Sequence, residues 1–325
     1  MTTQIFNCKG APIEDLEKRL PKPLILDNPE DYQCSPELEA AVEVALIMRQ
    51  PLIVTGEPGS GKTQLAYKVA HQLGLDVKKD VLKFETKSTS VAQDLFYTFN
   101  TLRRFHAAKS NALVDDKDFI TFRALGEAII CANPREKYEK FCPKGFNYDG
   151  PKRKLVLIDE IDKAPLDFPN DILNEIERMY FKIPQLDTND EFFAETNRPI
   201  IIMTSNSDKQ LPDAFLRRCV FHHIEFPEPE QMKEIVTRRL QCVKTFSNDF
   251  IADAIKLFYH LRDISEKKPS TGELLVWINA MHRMAPDEIN PMKDWNVVSR
   301  TVGTVIKKVN DMDNVKQWIA EQTTK

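Results

Sequence analysis

Short apolar runs alternate with helical patterns over the first two-thirds of the chain. Continuous apolar stretches at residues 52–54, 155–158 and 200–203 are typical of parallel strands that are buried on both faces. Segments 82–86 and 220–226 add two further strand candidates. Because these runs alternate with helical patterns, we predict an α/β fold built on a parallel sheet.

Helical spacing of apolar residues marks several segments between the predicted strands. Ser35 and Pro36 suit the N-cap and the first position of a helix, and another helix is predicted from Lys62 to the stop at Gly74. Over residues 89–108, apolar residues recur every three or four positions, which predicts one amphipathic helix. Single helices are also expected near 125–131 and over 167–179.

Two later segments have a different pattern. Residues 180–199 resemble a β-hairpin with a polar turn at 187–190. After residue 227 only helical patterns remain, beginning at Met232 and continuing over 249–263, 271–284 and 296–320. We therefore predict three regions, which are an irregular lead-in (1–35), an α/β domain (36–227) and an all-helical domain (228–325).

Composition and charge narrow the functional classes. The net charge of −4 and the pI near 6.0 argue against a protein that coats nucleic acid through bulk positive charge. No apolar run reaches membrane-spanning length and no signal peptide is recognised, so we expect no membrane partner. No C-x-x-C pair occurs, and free thiols in the cytoplasm are expected. The six cysteines are Cys8, Cys34, Cys131, Cys142, Cys219 and Cys242.

The most informative stretch follows the first predicted strand and fits the phosphate-loop pattern G-x-x-x-x-G-K-[ST]. Glycines allow a tight turn that brings backbone N–H groups close to phosphate oxygens. Lys62 would reach the β- and γ-phosphates, and the Thr63 hydroxyl would bind Mg²⁺. The alternative is a glycine-rich turn that binds nothing. The candidate nucleotide-binding residues here are Gly56, Glu57, Pro58, Gly59, Ser60, Gly61, Lys62, Thr63 and Gln64.

Polar residues follow two other predicted strands, where α/β folds bind ligands. Asp159 would support Mg²⁺ and Glu160 would deprotonate the attacking water, although a solvated strand end is the alternative. Asn206 could hydrogen-bond the γ-phosphate or that water, or could simply form a turn. Arg217 and Arg218 are candidates for a finger that acts on a neighbouring subunit's nucleotide, or for an ordinary solvated helix end.

Together these residues resemble those of the AAA+ ATPases, over roughly residues 36–284. Walker A is 56–63, Walker B is 155–160, and sensor 1 is Asn206. The closer resemblance is to the MoxR family, carried by the strings at 157–164 (LIDEIDKA) and 211–218 (LPDAFLRR), and by Thr-Ser-Asn at 204–206.

The resemblance implies a P-loop core with a helical lid, ATP and Mg²⁺ as cofactors, and a ring, expected to be a homo-hexamer. It also implies a helix insert at about 88–108, a hairpin at about 180–199, and Arg218 as the finger, with Arg217 as a second candidate. Its partners are often von Willebrand factor A-domain proteins. The family's sensor 2 arginine is replaced here by Gly272, and Lys268 is a candidate substitute that lacks a bidentate guanidinium fork.

Three functional hypotheses follow from these residues. The first is a ring ATPase that remodels or activates a protein partner. The second is a nucleic-acid motor or a GTPase switch of restriction or loader type, for which the basic groups at 137–144 and 152–154 offer little support. The third is a non-catalytic nucleotide-dependent adaptor. Tyr97, Phe99, Arg103 and Arg104 could line a ring channel, although Phe99 is better explained as a core residue.

Overall fold

The computed structural model describes residues 20, 28–109, 115–186, 190–206, 211–240 and 247–323. Cys34–Glu57 and Gly61–Glu225 form an α/β unit. A second, mainly helical unit holds the described residues from Phe226 onward, together with 58–60 and the described residues up to Gln33. Most of the predicted lead-in, the turn residues 187–189, and Cys8 and Cys242 lie outside the described part of the chain.

A five-stranded parallel sheet organises the α/β unit, in the order β2-β5-β8-β1-β9. In β1, Ile53 lies between Met203 on one side and Phe221 on the other. All five residues of β1 and of β5 are buried, which explains their uninterrupted apolar sequence. The predicted fold class is therefore confirmed. The strands are β1 (Leu52–Gly56), β2 (Val81–Glu85), β5 (Leu155–Asp159), β8 (Ile200–Ser205) and β9 (Val220–Ile224).

Two antiparallel pairs accompany the sheet, β3 with β4 and β6 with β7. Their aromatic residues pack together, as in the stacked rings of Phe181 and Phe192, whose centroids are 4.9 Å apart. Both side chains are almost fully buried, so these pairs extend the core of the unit. The strands are β3 (Tyr97–Phe99), β4 (Ile120–Phe122), β6 (Tyr180–Lys182) and β7 (Glu191–Phe193).

Helices surround the strands of this unit. The first begins as its sequence predicts, because the Ser35 Oγ accepts a hydrogen bond of 3.2 Å from the Leu38 N–H and Pro36 takes the first helical position. The helices are α1 (Pro36–Met48), α2 (Lys62–Gln72), α3 (Thr101–Lys109), α4 (Ala124–Cys131), α5 (Arg135–Tyr138), α6 (Phe168–Asp171), α7 (Leu173–Arg178) and α8 (Asp213–Leu216).

The prediction of one amphipathic helix over residues 89–108 is wrong. The segment contains a 3-10 turn, strand β3 and then helix α3. Tyr97-Thr98-Phe99 is rich in residues that favour strands, and it pairs with residues 120–122, a partner that local spacing does not reveal. Leu102 and Phe105 on α3 are exposed rather than buried.

Three other expectations change in detail. Helix 167–179 is divided at Ile172 into α6 and α7, and the first arm of the predicted hairpin is shortened by a 3-10 turn at Pro184–Leu186. On α1, Ile47 lies on the predicted apolar face but its side chain is 70% exposed.

The helical unit has its own core. Trp277 is fully buried there, and its indole N–H donates a hydrogen bond of 2.9 Å to the Thr301 Oγ1, so the polar atom of this large side chain is paired. The predicted helix 296–320 is interrupted by a 3-10 turn at Val302–Thr304, where Gly303 weakens helix formation. The helices are α9 (Pro229–Arg239), α10 (Asn248–Ile264), α11 (Thr271–Met284), α12 (Trp295–Thr301) and α13 (Val309–Thr323). Among the described residues, no helix combines the length and apolar character that a bilayer crossing requires.

Candidate functional site

The predicted phosphate loop connects the end of β1 at Gly56 to the start of α2 at Lys62. Gly61 precedes the helix with φ +91°, a left-handed conformation that favours glycine over residues with a Cβ atom. The turn therefore directs the N-terminus of an 11-residue helix toward the carboxyl edge of the sheet. Free N–H groups at such a helix start favour an anion.

The Lys62 side chain folds back over the loop. Its ammonium donates hydrogen bonds of 2.8 Å to the carbonyls of Gly56 and Glu57, and the residue is only 6% exposed. Burial lowers the pKa of Lys62, against the opposing effect of nearby carboxylates that include Asp162 and Asp159. An incoming phosphate would offer this desolvated cation a charged partner in place of two carbonyls.

Asp159, the last residue of β5, accepts hydrogen bonds from two hydroxyls at the same oxygen. Its Oδ1 lies 2.9 Å from the Thr63 Oγ1 and 2.7 Å from the Thr204 Oγ1. Its Oδ2 forms a salt bridge of 2.9 Å with the Lys83 ammonium on β2. Residues of α2, β2 and β8 therefore converge on one carboxylate.

This network keeps Asp159 ionised. Burial alone would raise the pKa of this carboxyl, but the hydrogen bonds from Thr204, Lys83 and Thr63 outweigh burial, and the pKa is lowered. The pKa of Lys83 is raised because its pairing with Glu85 and Asp159 outweighs desolvation. Both groups are therefore charged at neutral pH.

Glu160 immediately follows Asp159 but is held by different groups. Its φ of +56° is unusual for a residue with a side chain, and its N–H donates a hydrogen bond of 2.9 Å to the Thr204 Oγ1. The Asn206 side-chain amide donates to the Glu160 Oε1 at 3.3 Å, and Lys163 pairs with the Oε2. The structure thus brings Glu160 and Asn206 together at the strand ends.

The two candidate finger arginines lie at the end of α8. Arg217 is the C-cap residue, and the Arg218 Nε forms a salt bridge of 3.0 Å with the Glu177 Oε2. The Arg218 side chain also donates to the Ala214 carbonyl and is 43% exposed. Both residues are therefore at the surface of the α/β unit, which a group acting on another subunit requires.

Lys268 and Gly272 belong to the helical unit. Lys268 is exposed and precedes α11, whose N-cap Ser270 forms a capping box with Glu273. A Cβ at Gly272 would have no heavy atom within 4 Å, so the space at this position does not require glycine.

Two residues that contact Asp159, Lys83 and Thr204, are not identified as site residues by the sequence. The only available signal for Lys83 was a charged residue two positions before Glu85 in an otherwise apolar strand, which places both on one face. Thr204 lies two positions before Asn206, and this position alone indicates no role for its hydroxyl. Their contacts depend on the pairing of β2 with β5 and of β5 with β8, which the sequence does not specify.

The residues predicted for Mg²⁺ fit that ion chemically. The Thr63 hydroxyl and the Asp159 carboxylate are hard oxygen donors whose oxygens lie 2.9 Å apart. Mg²⁺ is usually held by one or two such protein groups, with substrate phosphates and water completing an octahedron. This part of the site can therefore hold a magnesium–nucleotide complex.

The α/β region of the chain matches a known protein family. Residues 52–228, more than half of the chain, match the family described as "ATPase family associated with various cellular activities (AAA)". No curated protein matches the chain.

Similar solved structures include domain III of the Thermotoga maritima replication initiation protein DnaA. That match has a TM-score of 0.45 and 14% identity, and it covers 86% of this chain and 99% of that one. Two variants of Thermotoga maritima RuvB match with TM-scores of 0.46 and 0.48, each with 14% identity over 82% of this chain and 66% of the RuvB chain.

Proposed function

The chain belongs to the AAA family of ATPases, and from this premise we propose that it is a MoxR-like, Mg²⁺-dependent ATP hydrolase. It would work as a ring, with six subunits as the expected number, and would remodel or activate a protein partner. The observation that supports hydrolysis is the convergence of Thr63, at the start of α2, with Asp159, Glu160 and Asn206 at the ends of the neighbouring strands β5 and β8.

Each of these side chains has a proposed role. Lys62 binds the β- and γ-phosphates, while Thr63 and Asp159 hold the metal, which neutralises charge on the phosphates when bound. Glu160 accepts a proton from the attacking water, and Asn206 positions that water through its contact with Glu160. Lys163 and Asn206 each contact one oxygen of the Glu160 carboxylate here. At least one of these contacts must break before Glu160 can accept a proton from the water.

We propose that Arg218 completes the site of the neighbouring subunit. Its exposed position at the end of α8 and its pairing with the exposed Glu177 allow it to leave one carboxylate for a phosphate at low cost. Arg217 is the second candidate. The helical region from residue 228 would act as a lid, with Lys268 as the candidate substitute for the missing sensor 2 arginine.

The protein client is the least specified part of this proposal. Resemblance to the MoxR family favours a von Willebrand factor A-domain protein, and no contact in the structure selects one. Tyr97 does not support a channel-lining role, because it is 3% exposed and its hydroxyl donates to Gln185. Arg104 is paired with Asp116 at 2.6 Å.

A nucleic-acid motor or GTPase switch is the second candidate, and the lysines of the basic groups that would favour it are paired with carboxylates. Lys154 is 2% exposed and lies 2.9 Å from Glu127 and 3.0 Å from Asp149, so it is a buried, paired group and not a solvated one. Lys137 pairs with Glu195 at 2.6 Å. These lysines have acidic neighbours inside the protein and do not provide uncompensated charge for a phosphate backbone.

The proposed function is tested by ATP binding and steady-state hydrolysis in the presence of Mg²⁺. Wild-type protein should hydrolyse ATP, whereas Lys62→Ala should lose nucleotide binding at concentrations that saturate the wild type. Lys78→Ala, which removes an exposed lysine outside the site, is the matched control and should behave as wild type. Unchanged ATP affinity in Lys62→Ala would contradict the assignment of the loop.

The same assay separates the alternatives. Competition between ATP and GTP measures base preference, and added duplex or single-stranded DNA measures stimulation. ATP preference with no effect of DNA supports the proposed function. Stimulation by DNA, or preference for GTP, would support the second candidate, and tight ATP binding without turnover would support an adaptor.

A further inference from the structure

A cavity of about 360 Å³ lies at the amino edge of the parallel sheet, within the α/β unit. Leu52 and Ile200, the first residues of β1 and β8, line it. The phosphate loop begins at Gly56, at the other end of β1, about 13 Å away along the strand. The cavity is therefore separate from the nucleotide site, and its volume falls in the range of about 300–1,000 Å³ that is typical of small-molecule pockets.

The cavity wall combines apolar surface with positive charge. Leu46 of α1 and Val69 of α2 contribute to its apolar lining, and three arginines, Arg49, Arg153 and Arg198, line it as well. None of the described lining residues is acidic. Guanidinium groups around an apolar chamber without a lining carboxylate are complementary to a molecule that is apolar at one end and anionic at the other.

Arg198 is a lining residue whose set of hydrogen bonds is incomplete within the described part of the chain. Two hydrogen bonds link one of its terminal nitrogens to the carbonyls of Ile176 and Glu177. Its Nε, however, is buried and has no hydrogen-bond partner among the described residues. An unpaired buried donor on a cation is costly, and an anion that reached it would remove that cost.

The pKa of Arg198 also indicates that its positive charge is only partly compensated. Burial lowers the pKa of this guanidinium, and the positive charge of Arg49 lowers it further, while Glu177 acts in the opposite direction. Two like charges therefore influence each other beside one cavity. A single negative head group between them would relieve both the repulsion and the desolvation.

We propose that this cavity binds a small amphipathic anion, with its apolar chain against Leu46 and Val69 and its head group on Arg198 and Arg49. The chemistry of the head group is a carboxylate or a phosphate, since a guanidinium fork recognises both. The Arg49 backbone is left-handed, with φ +53°, at the C-cap of α1, so this residue lies at the end of the helix that precedes β1.

Binding is tested by calorimetric titration of the full-length protein with octanoate and with octyl phosphate. Octanamide, which has the same chain without charge, and octylamine, which has the opposite charge, are the ligand controls. We expect saturable binding of at least one anion and no saturable binding of the two controls. The stronger of the two anions identifies the head-group class.

Variants connect the binding to this cavity. Arg198→Met and Arg49→Met should each weaken anion binding by at least about tenfold, because a hydrogen bond to a charged group contributes about 1.5–3 kcal/mol. Leu46→Trp should abolish binding by filling the chamber while leaving both arginines in place. Arg135→Met, which removes an arginine that does not line the cavity, should bind as the wild type does.

The proposal is overturned if neither anion binds saturably, or if octanamide binds as tightly as octanoate. It is also overturned if the affinity is unchanged in both Arg198→Met and Leu46→Trp. Octanoate should not displace a fluorescent ATP analogue, and competitive displacement would place the anion in the phosphate loop instead. Because that readout is independent of turnover, the cavity and the proposed ATPase can fail separately.

Discussion

Two sites at opposite edges of the parallel sheet differ in how their charged groups are paired. At the carboxyl edge, Asp159 is held by two hydroxyls and an ammonium. At the amino edge, Arg198 has a buried nitrogen without a partner among the described residues, and it is influenced by a second arginine. The Asp159 site is a preorganised network that ATP and Mg²⁺ would rearrange, whereas Arg198 and Arg49 line a cavity with no acidic residue among its described lining, where we propose that a ligand supplies the counter-charge.

The carboxyl edge is proposed to be complete only when a neighbouring chain contributes Arg218. We expect Arg218→Ala to lower ATP turnover by about 10³-fold, the lower range reported for arginine fingers, while ATP affinity stays within a few-fold of wild type. Steady-state hydrolysis and equilibrium binding measure the two quantities.

Mixing distinguishes action on a neighbour from action within one chain. Arg218→Ala subunits keep the phosphate loop and Lys62→Ala subunits keep the finger, so a mixture of the two inactive variants should regain activity. If the mixture stays inactive although the variants assemble together, or if monomeric protein is fully active, the shared site is wrong.

Because Asp159 is fully paired and Arg198, within the described residues, is not, substitutions of these two residues should change the free energy of unfolding by different amounts. Asp159→Asn should lower the free energy of unfolding by about 1–3 kcal/mol at pH 7, because it removes the charge that pairs with Lys83 and leaves the two hydroxyls a neutral amide oxygen as acceptor. Arg198→Met should change it by less than about 1 kcal/mol, because the lost hydrogen bonds are offset by the removal of a desolvated charge. Urea unfolding measures both. Equal losses in the two variants would remove the distinction between the edges.

The Asp159 effect should also depend on pH. Its pKa is lower in the folded protein than the ordinary value of 3.8, so its contribution to stability is present above pH 3.8 and is lost as the pH falls through the folded-state pKa. The difference between wild type and Asp159→Asn should therefore shrink below pH 3.8. A difference that stays constant into that acid range would show that the charge of Asp159 is not its cause.

The sequence predicted what depends on short-range spacing. The strand, glycines and lysine of residues 52–63 are contiguous, so the loop could be located without a structure, and the buried strands were recognised by their apolar runs. Spacing at Leu95 and Phe99 also looked helical, but pairing of residues 97–99 with 120–122 determined a strand. The contact of Lys83 with Asp159 requires that β2 pair with β5. The cavity requires the amino ends of β1 and β8 to lie beside the carboxyl-terminal parts of α1 and α2, so neither could be predicted locally.

Single-turnover hydrolysis by Glu160→Gln tests whether Glu160 is the general base of an ATP hydrolysis site. The variant keeps the shape of the side chain and its hydrogen bond with Asn206 can persist, but it cannot accept a proton. Glu43→Gln, which changes an exposed carboxylate on α1, is the matched control. We predict ATP affinity within a few-fold of wild type and a hydrolysis rate lower by at least about 100-fold. A hydrolysis rate within a few-fold of wild type would show that Glu160 is not the general base.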